Sequence, residues 1–410
     1  MNRLVSHFLV LVLSAVVVGC NPSDSERAPS EQADYSLVEV TLEDYNDSYS
    51  ESFRDVPQLE QVFYATRPAN RGDGVPVGDL RQQGGDSGAL IQLVTEIAES
   101  NEENYDSLLI ARNGELVFEA YFKRGRVNLP HPQASATKTY TSLLLGRAIQ
   151  LGHLTMDDLD KPIVSFFEAL DRTSLVEGAE RITLREAVTM TTGIRLDDAQ
   201  WGVMRDNPDR MQGQRQVQYM LETSQPIGAD SKTFKYGTGP DLVMQILEVS
   251  VPGGARAFIK NEFLNKLGIT EYECLTEVNG LPVAGWLTSF TSRDMTKFGH
   301  LVMNEGRWNG EQFVPVKYLE ASMVSSVLTG DEDIYGGGPD VSNIGYGYFW
   351  WTADLRSEGK TYSVANAQGG GGQYIIPVDE LDLLIVVTGH SNDNTTLQRV
   401  AERIIPAFRH

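Results

Sequence analysis

The stretch Gln133 to Leu154, QASATKTYTSLLLGRAIQLGHL, is the point from which the rest of the chain is ordered. Thr137 to Leu151 has an apolar stripe through Leu143, Leu144, Ala148 and Ile149, and Gly152 stands just beyond it as a stop, so the spacing predicts a helix. Ser135 falls at the first turn of that helix and Lys138 three residues later, on the same face. A serine hydroxyl is a weak nucleophile until a neighbouring base takes its proton. A lysine becomes that base only when burial or nearby positive charge lowers its pKa. The helix N-terminus also directs backbone N–H groups at developing negative charge.

Outward from this helix the pattern changes at both ends. Ser107 to Phe122 carries SLLIAR and ELVFEAYF on either side of Asn113-Gly114, the signature of a two-residue hairpin. Towards the C-terminus, strands are expected at Tyr346 to Thr352, Thr361 to Ala365, Gln373 to Ile376 and Leu383 to Thr388, with a closing helix over Thr395 to Phe408. Between them the chain reads as mainly helical, at Leu184 to Met190, Gln216 to Leu221, Asp241 to Val249 and Asp294 to Asn304. Strands at the ends and helices between predict an α+β fold, one sheet completed by distant segments with a helical region inserted. The acidic, glycine-rich Gly330 to Pro339 reads as a solvated loop.

Serine followed by lysine at i+3 is a weak signal alone, and it occurs again at Ser357-Glu358-Gly359-Lys360. That copy sits in a hydrophilic link between strands, with no helix to hold it, and reads as chance. Two features strengthen the first copy. Tyr236, in FKYGTG before the helix at Asp241, is a candidate proton relay. Gln368 to Gln373, QGGGGQ, leads into YIIP, where glycines permit close approach to a strand edge whose N–H groups can complete an oxyanion hole. No Gly-Lys-Ser/Thr follows, so the run is not a phosphate loop. The chain also lacks a G-x-S-x-G elbow and an H-E-x-x-H pair, which leaves α/β-hydrolase and zinc-protease chemistry without support. His131 is read as a packing residue.

Composition sets the outer bounds. The chain has 410 residues, 41% hydrophobic and 22% charged, with a formal net charge of −22 and two cysteines. That is a globular composition with room for a sizeable core. The acidic balance argues against a nucleic-acid partner, and two cysteines cannot build a disulfide framework or a Cys₄ zinc site. Arg3 and the apolar Leu4 to Val18 form a secretory signal too short for a comfortable span. Its ending, Val18-Gly19-Cys20, resembles a bacterial lipoprotein box, which implies removal of residues 1–19 and lipidation of Cys20. Asn21 after the cysteine implies outer-membrane sorting, hence a lipid-anchored periplasmic protein. Residues 20–50 are then expected to hold a polar tether and 51–410 one hydrolase domain, with the helical region at about 153–290.

Ser-x-x-Lys, a loop tyrosine about a hundred residues on and a glycine-rich strand near the C-terminus resemble the serine β-lactamase and penicillin-binding superfamily. Finer segments resemble its class C-related branch, especially the 6-aminohexanoate-dimer hydrolase and esterase-like members: ITLREAVTMTTGI, FTSRDMTKFGHLVMNEGRWNG, GYGYFWW and GGGGQYIIPVDELDLLIVVTG. The resemblance implies an antiparallel sheet of the first two and last three strands, flanked by helices beside an all-helical region. It implies Ser135 as acylated nucleophile, Lys138 as base and Tyr236 as relay. The backbone N–H groups of Ser135 and Gly370 would form the oxyanion hole, and no metal or cofactor is called for. Thr238 stands where the family's lactamases have asparagine, and Ala367-Gln368-Gly369 where they have Lys-Thr-Gly. A site without that lysine binds a carboxylate poorly. The expected substrate is therefore a small ester or amide, with Thr238, Gly369 and Trp201 as candidate substrate contacts. Trp201 reads equally well as core. The alternatives are a D-amino-acid peptidase, a weak β-lactamase, or a non-catalytic cell-wall-binding lipoprotein.

Overall fold

The computed structural model describes residues 33–45, 48–100, 105–329, 337–390 and 395–408. Cys20 and residues 330–336 of the expected loop lie outside them. The compact unit begins at Ala33, earlier than the expected boundary at residue 51. Tyr35 and Val38 are the reason: both are buried, and the Tyr35 hydroxyl donates to the carboxylate of Glu119. A stretch that composition presents as tether is thus pinned by two side chains.

Nine antiparallel strands form the main sheet: β1 (Phe63–Ala65), β2 (Tyr105–Arg112), β3 (Glu115–Tyr121), β4 (Val327–Leu328), β5 (Val341–Tyr346), β6 (Trp351–Ser357), β7 (Lys360–Gly369), β8 (Gln373–Val378) and β9 (Leu383–Gly389). Their order is β1-β3-β2-β9-β8-β7-β6-β5-β4. The expected five-stranded centre is present, and β1 and β4–β6 extend it at the two edges. Asn113 and Gly114 both take positive φ, 50° and 78°, as the two-residue hairpin between β2 and β3 requires. The last strand pairs with the first long one, Val386 opposite Leu109 and Thr388 opposite Ser107.

One expected strand is two. Tyr346 to Thr352 does not run straight: β5 ends at Tyr346, the chain turns through Gly347 to Trp350, and β6 starts at Trp351. The Gly347 N–H donates to the Trp350 carbonyl at 2.8 Å, and Phe349 takes φ 61°. All six residues from Tyr346 to Trp351 are buried or nearly so, so the aromatic run carries no alternation that would reveal the turn.

Both sheet faces are covered, which the strands' alternation records. Leu109, Ala111, Leu384 and Val386 face the larger core, shared with the inserted helices. Leu108, Ile110, Leu383, Ile385 and Val387 face the second core. There they meet helix α1 (Ser87–Glu99) and the C-terminal helical segment. Leu90, Leu93, Val94 and Ile97 of α1 recur at helical spacing on its buried face, and the Asp86 side chain caps its start. Three further helices frame the larger core: α2 (Thr137–Gln150), α3 (Gly239–Ser250) and α4 (Ser292–Met303). Gly299 of α4 lies so close to Leu384 that a Cβ there would strike its side chain. The helical insertion is interrupted only by short strands, Tyr272–Cys274 and Thr288–Phe290, which pair with each other, while Thr288–Phe290 also pairs with His131–Pro132.

Candidate active site

Ser135 sits in the tight turn Ala134–Ala136 that feeds directly into α2, rather than within the helix. Ala134 enters this turn with φ 45°, an uncommon conformation for a residue with a Cβ. Ser135 stays partly exposed while Ala136 and Lys138 are buried. The turn therefore presents the hydroxyl and hides the amine.

Lys138, 7% exposed, donates from Nζ to Ser135 Oγ at 3.2 Å and to the Gly285 carbonyl at 2.6 Å. Burial pushes its pKa down to about 8, against the opposing charge of Asp241. Close to neutrality, roughly a tenth of such an amine is uncharged at pH 7 and able to accept a proton. Its Nζ also lies 4.5 Å from the centre of the Tyr236 ring. That ring is fixed by aromatic neighbours: it stacks on Trp351 at 5.8 Å and meets Tyr346 edge-on at 6.1 Å. Tyr236 thus arrives from the loop before α3, Lys138 from α2, and their support from β5 and β6.

The glycine-rich segment arrives from the other end of the chain. β7 stops at Gly369, and Gly370 to Gly372 form a turn, not the strand that the sequence suggests. Gly371 and Gly372 have φ of 90° and 98°, so the run of glycines serves a left-handed turn. A Cβ on Gly369 would collide with the Gln133 carbonyl oxygen, so β7 approaches the Ser135 turn backbone to backbone. Gln373 ties this turn in place, donating from Nε2 to the Gly389 carbonyl at 2.7 Å. The Ala367-Gln368-Gly369 counterpart is buried and neutral, and the Gln368 amide is used by Asn366 Oδ1 at 2.7 Å.

Beside Lys138 opens a cavity of about 370 Å³. Trp201, 38% exposed on the helix Asp198–Asp206, lines it and is not core. Thr238 is buried at the start of α3 and does not line the cavity. A larger cavity of about 700 Å³, walled by Arg71, Asp73, Lys266 and Lys297 among others, contains none of Ser135, Lys138 and Tyr236.

Four residues around Lys138 escaped the sequence reading. Gly285 supplies its carbonyl, and a Cβ there would lie 3.3 Å from Nζ. Thr141 holds the same loop through the Ala284 carbonyl at 2.7 Å. Asp241 and Glu277 line the cavity. The only sequence trace of this loop is a glycine before a tryptophan, Gly285-Trp286, which is too common to single out.

His131, read as a packing residue, is held by polar contacts as well as by packing. It is buried, approaches Asp106 Oδ2 through Nε2 at 3.1 Å and meets the Phe53 ring edge-on at 4.5 Å. Cys274 is a free, half-buried thiol whose pKa burial pushes up to about 11, which favours the protonated form near neutral pH.

A family model described as Beta-lactamase matches residues 90–407. A search of curated proteins finds no match. Among solved structures, one described as a 6-aminohexanoate-dimer hydrolase from Bacillus anthracis superposes with a TM-score of 0.57 at 18% identity, over 88% of this chain and 96% of that one. A class C β-lactamase gives 0.57 at 16%, over 79% and 96%. A D-stereospecific amidohydrolase from Streptomyces gives 0.55 at 14%, over 77% and 98%. At these identities the likeness concerns the fold.

Proposed function

Because the chain belongs to the β-lactamase family, we propose that it is a serine hydrolase that cleaves a carboxylic ester or small amide through an acyl-enzyme on Ser135. The observation that carries this reading is the 3.2 Å contact between Ser135 Oγ and a buried lysine amine whose pKa is pushed down to about 8.

In the proposed cycle, neutral Lys138 accepts the hydroxyl proton as Oγ forms a bond to the substrate carbonyl carbon. The backbone N–H groups of Ser135 and Gly370 receive the oxyanion. As the bond to the leaving group breaks, the proton passes through Lys138 and Tyr236 to the departing oxygen or nitrogen. Water then attacks the acyl carbon, gives up a proton along the same path, and releases the acid. A metal is not needed for any of these steps.

The neutral Ala367-Gln368-Gly369 segment favours substrates without a carboxylate beside the scissile bond, and so disfavours efficient β-lactam hydrolysis. We also propose that Cys20 carries a lipid that tethers the enzyme to the outer membrane from the periplasmic side, a reading that rests on Leu4 to Asn21 alone. Release of the protein from the membrane fraction by Cys20→Ala would support the anchor, and unchanged fractionation would remove it.

Fluorophosphonate labelling tests the central claim. The adduct is expected on Ser135 and nowhere in Ser135→Ala. An adduct elsewhere would overturn the assignment of Ser135, and none on the folded protein would leave a non-catalytic binding protein.

A further inference from the structure

His131 and His390 are far apart in the chain, yet the fold brings both rings onto one carboxylate. His131 Nε2 lies 3.1 Å from Asp106 Oδ2, and His390 Nδ1 contacts the same oxygen. The three donor atoms lie within 4.8 Å of one another. Asp106, at the start of β2, and His131 are buried, whereas the His390 side chain, just past β9, is 42% exposed. The cluster therefore has a buried floor and one member in reach of solvent.

The hydrogens on the buried ring are constrained. The Pro132 carbonyl, 2.9 Å from His131 Nδ1, can only accept, so Nδ1 carries the hydrogen. In the neutral ring Nε2 then holds a lone pair, which faces a carboxylate oxygen. Two acceptors at this separation repel unless a positive centre stands between them. No arginine or lysine supplies it among the described residues: Asp106 pairs with the two histidines, and Arg126 donates to the carbonyls of Pro57, Lys123 and Gly125.

A divalent metal ion meets these conditions. Two imidazole nitrogens with one carboxylate oxygen suit a first-row transition metal, whereas Mg²⁺ and Ca²⁺ take oxygen ligands. With bonds of about 2.1 Å, neighbouring donors round a tetrahedral ion stand about 3.4 Å apart. His131 and Asp106 are already close to that spacing. A ligating histidine ordinarily donates its other ring N–H to a carbonyl or carboxylate, as His131 does to Pro132. Phe53 meets the His131 ring edge-on at 4.5 Å and stacks on His390 at 4.6 Å, an apolar wall against both rings.

We infer that Asp106, His131 and His390 form a binding site for one divalent transition-metal ion of the Zn²⁺ type, with solvent completing its coordination. The ion acts as a clamp and takes no part in the proposed cycle. It joins the start of β2, the short strand that leads into the Ser135 turn, and the residue after β9. From there the clamp continues to the glycine turn: Gln373 Nε2 donates to the Gly389 carbonyl at 2.7 Å and lies 3.4 Å from that of Gly370. The site does not depend on the acyl-enzyme reading.

To test it, the full chain is stripped with a chelator, dialysed, and titrated with Zn²⁺ by calorimetry and with Co²⁺ by visible absorption. About one Zn²⁺ per chain is expected, and Co²⁺ should develop the d–d bands of low-coordinate nitrogen and oxygen ligation. Mg²⁺ should give no comparable heat. His390→Ala, at the half-exposed member, should weaken Zn²⁺ binding by about 100-fold or more, and Asp106→Asn by at least as much, with thermal melts confirming that each variant folds. His153→Ala, whose ring lies beside Phe258 instead, should leave binding unchanged. Zn²⁺ should also raise the melting midpoint of the wild type and not that of His390→Ala, because a ligand of the folded state alone stabilises it. Failure of the folded chain to bind Zn²⁺ would overturn the site and leave His131 as an imidazolium hydrogen-bonded to Asp106. Equal affinity in His390→Ala and wild type would put the ion elsewhere and overturn it as well.

Discussion

Two places in this chain hold a serine, a lysine three residues later, and a tyrosine ring 4.5 Å from the lysine nitrogen. One is Ser135, Lys138 and Tyr236; the other is Ser357, Lys360 and Tyr362. In the second, Glu358 and Gly359 make a tight turn between β6 and β7, with φ of 47° and 81°. Ser357 and Lys360 face each other as the last pair of a hairpin, with the serine buried and the lysine exposed. The first arrangement is the reverse: partly exposed serine, buried amine. Spacing and an aromatic neighbour therefore do not distinguish the pair proposed to be reactive from a solvated one. What distinguishes them is which partner is withdrawn from water, because only a desolvated ammonium gives up its proton near neutral pH.

That comparison can be broken at each of its three members. The largest effect is expected from Ser135→Ala, which should lower turnover of short p-nitrophenyl esters by about 10³-fold or more, whereas Ser357→Ala should leave it within about twofold of wild type. Lys138→Ala should cost on the order of 10²- to 10⁴-fold, against no measurable loss for Lys360→Ala; equal losses at both lysines would show that burial is not the deciding variable. Tyr236→Phe should cost about 10²-fold in kcat, and Tyr362→Phe should leave kcat unchanged.

The smallest effect concerns pH. The Lys138 pKa of about 8 lies below its ordinary value, so the neutral base accumulates as pH rises. Activity should therefore climb with pH through a limb centred near 8. Asp241 opposes the shift, so Asp241→Asn should move that limb to lower pH. A limb near the ordinary lysine value, or an upward move in the variant, would contradict the assignment of Lys138 as base.

Much of this architecture is legible in the chain because the signals are local. Asn113-Gly114 demands a hairpin, and the stripe through Leu143, Leu144 and Ala148 demands a helix whose start fixes Ser135 and Lys138 together. The glycines after Gln368 announce a close backbone approach, although not that Gly370 to Gly372 would be a turn. Other features are invisible for a physical reason. The bend at Gly347 to Trp350 is buried on all sides, so no polar residue marks it. Asp241 and Glu277 are ordinary acids until the fold places them in one cavity. Gly285 matters through its carbonyl oxygen, which every residue possesses. Tyr35 and Val38 lie in a polar neighbourhood whose composition conceals that they are anchors.

The pairing of β2 with β9 also joins the first long strand of the sheet to the last. The hydroxyls of Ser107 and Thr388 meet at 2.6 Å across 281 residues of sequence. Gly369 closes on the Ser135 turn across a comparable interval. Contacts of such separation form late and slowly, since the intervening chain must be ordered before they give any return. A nascent or truncated chain ending before β7 already contains Ser135, Lys138 and Tyr236, yet it lacks the strands that seat the nucleophile turn. Synthesis of the final strands therefore completes the setting of the Ser135 turn, and on the proposed mechanism a chain that ends before β7 should turn over no ester.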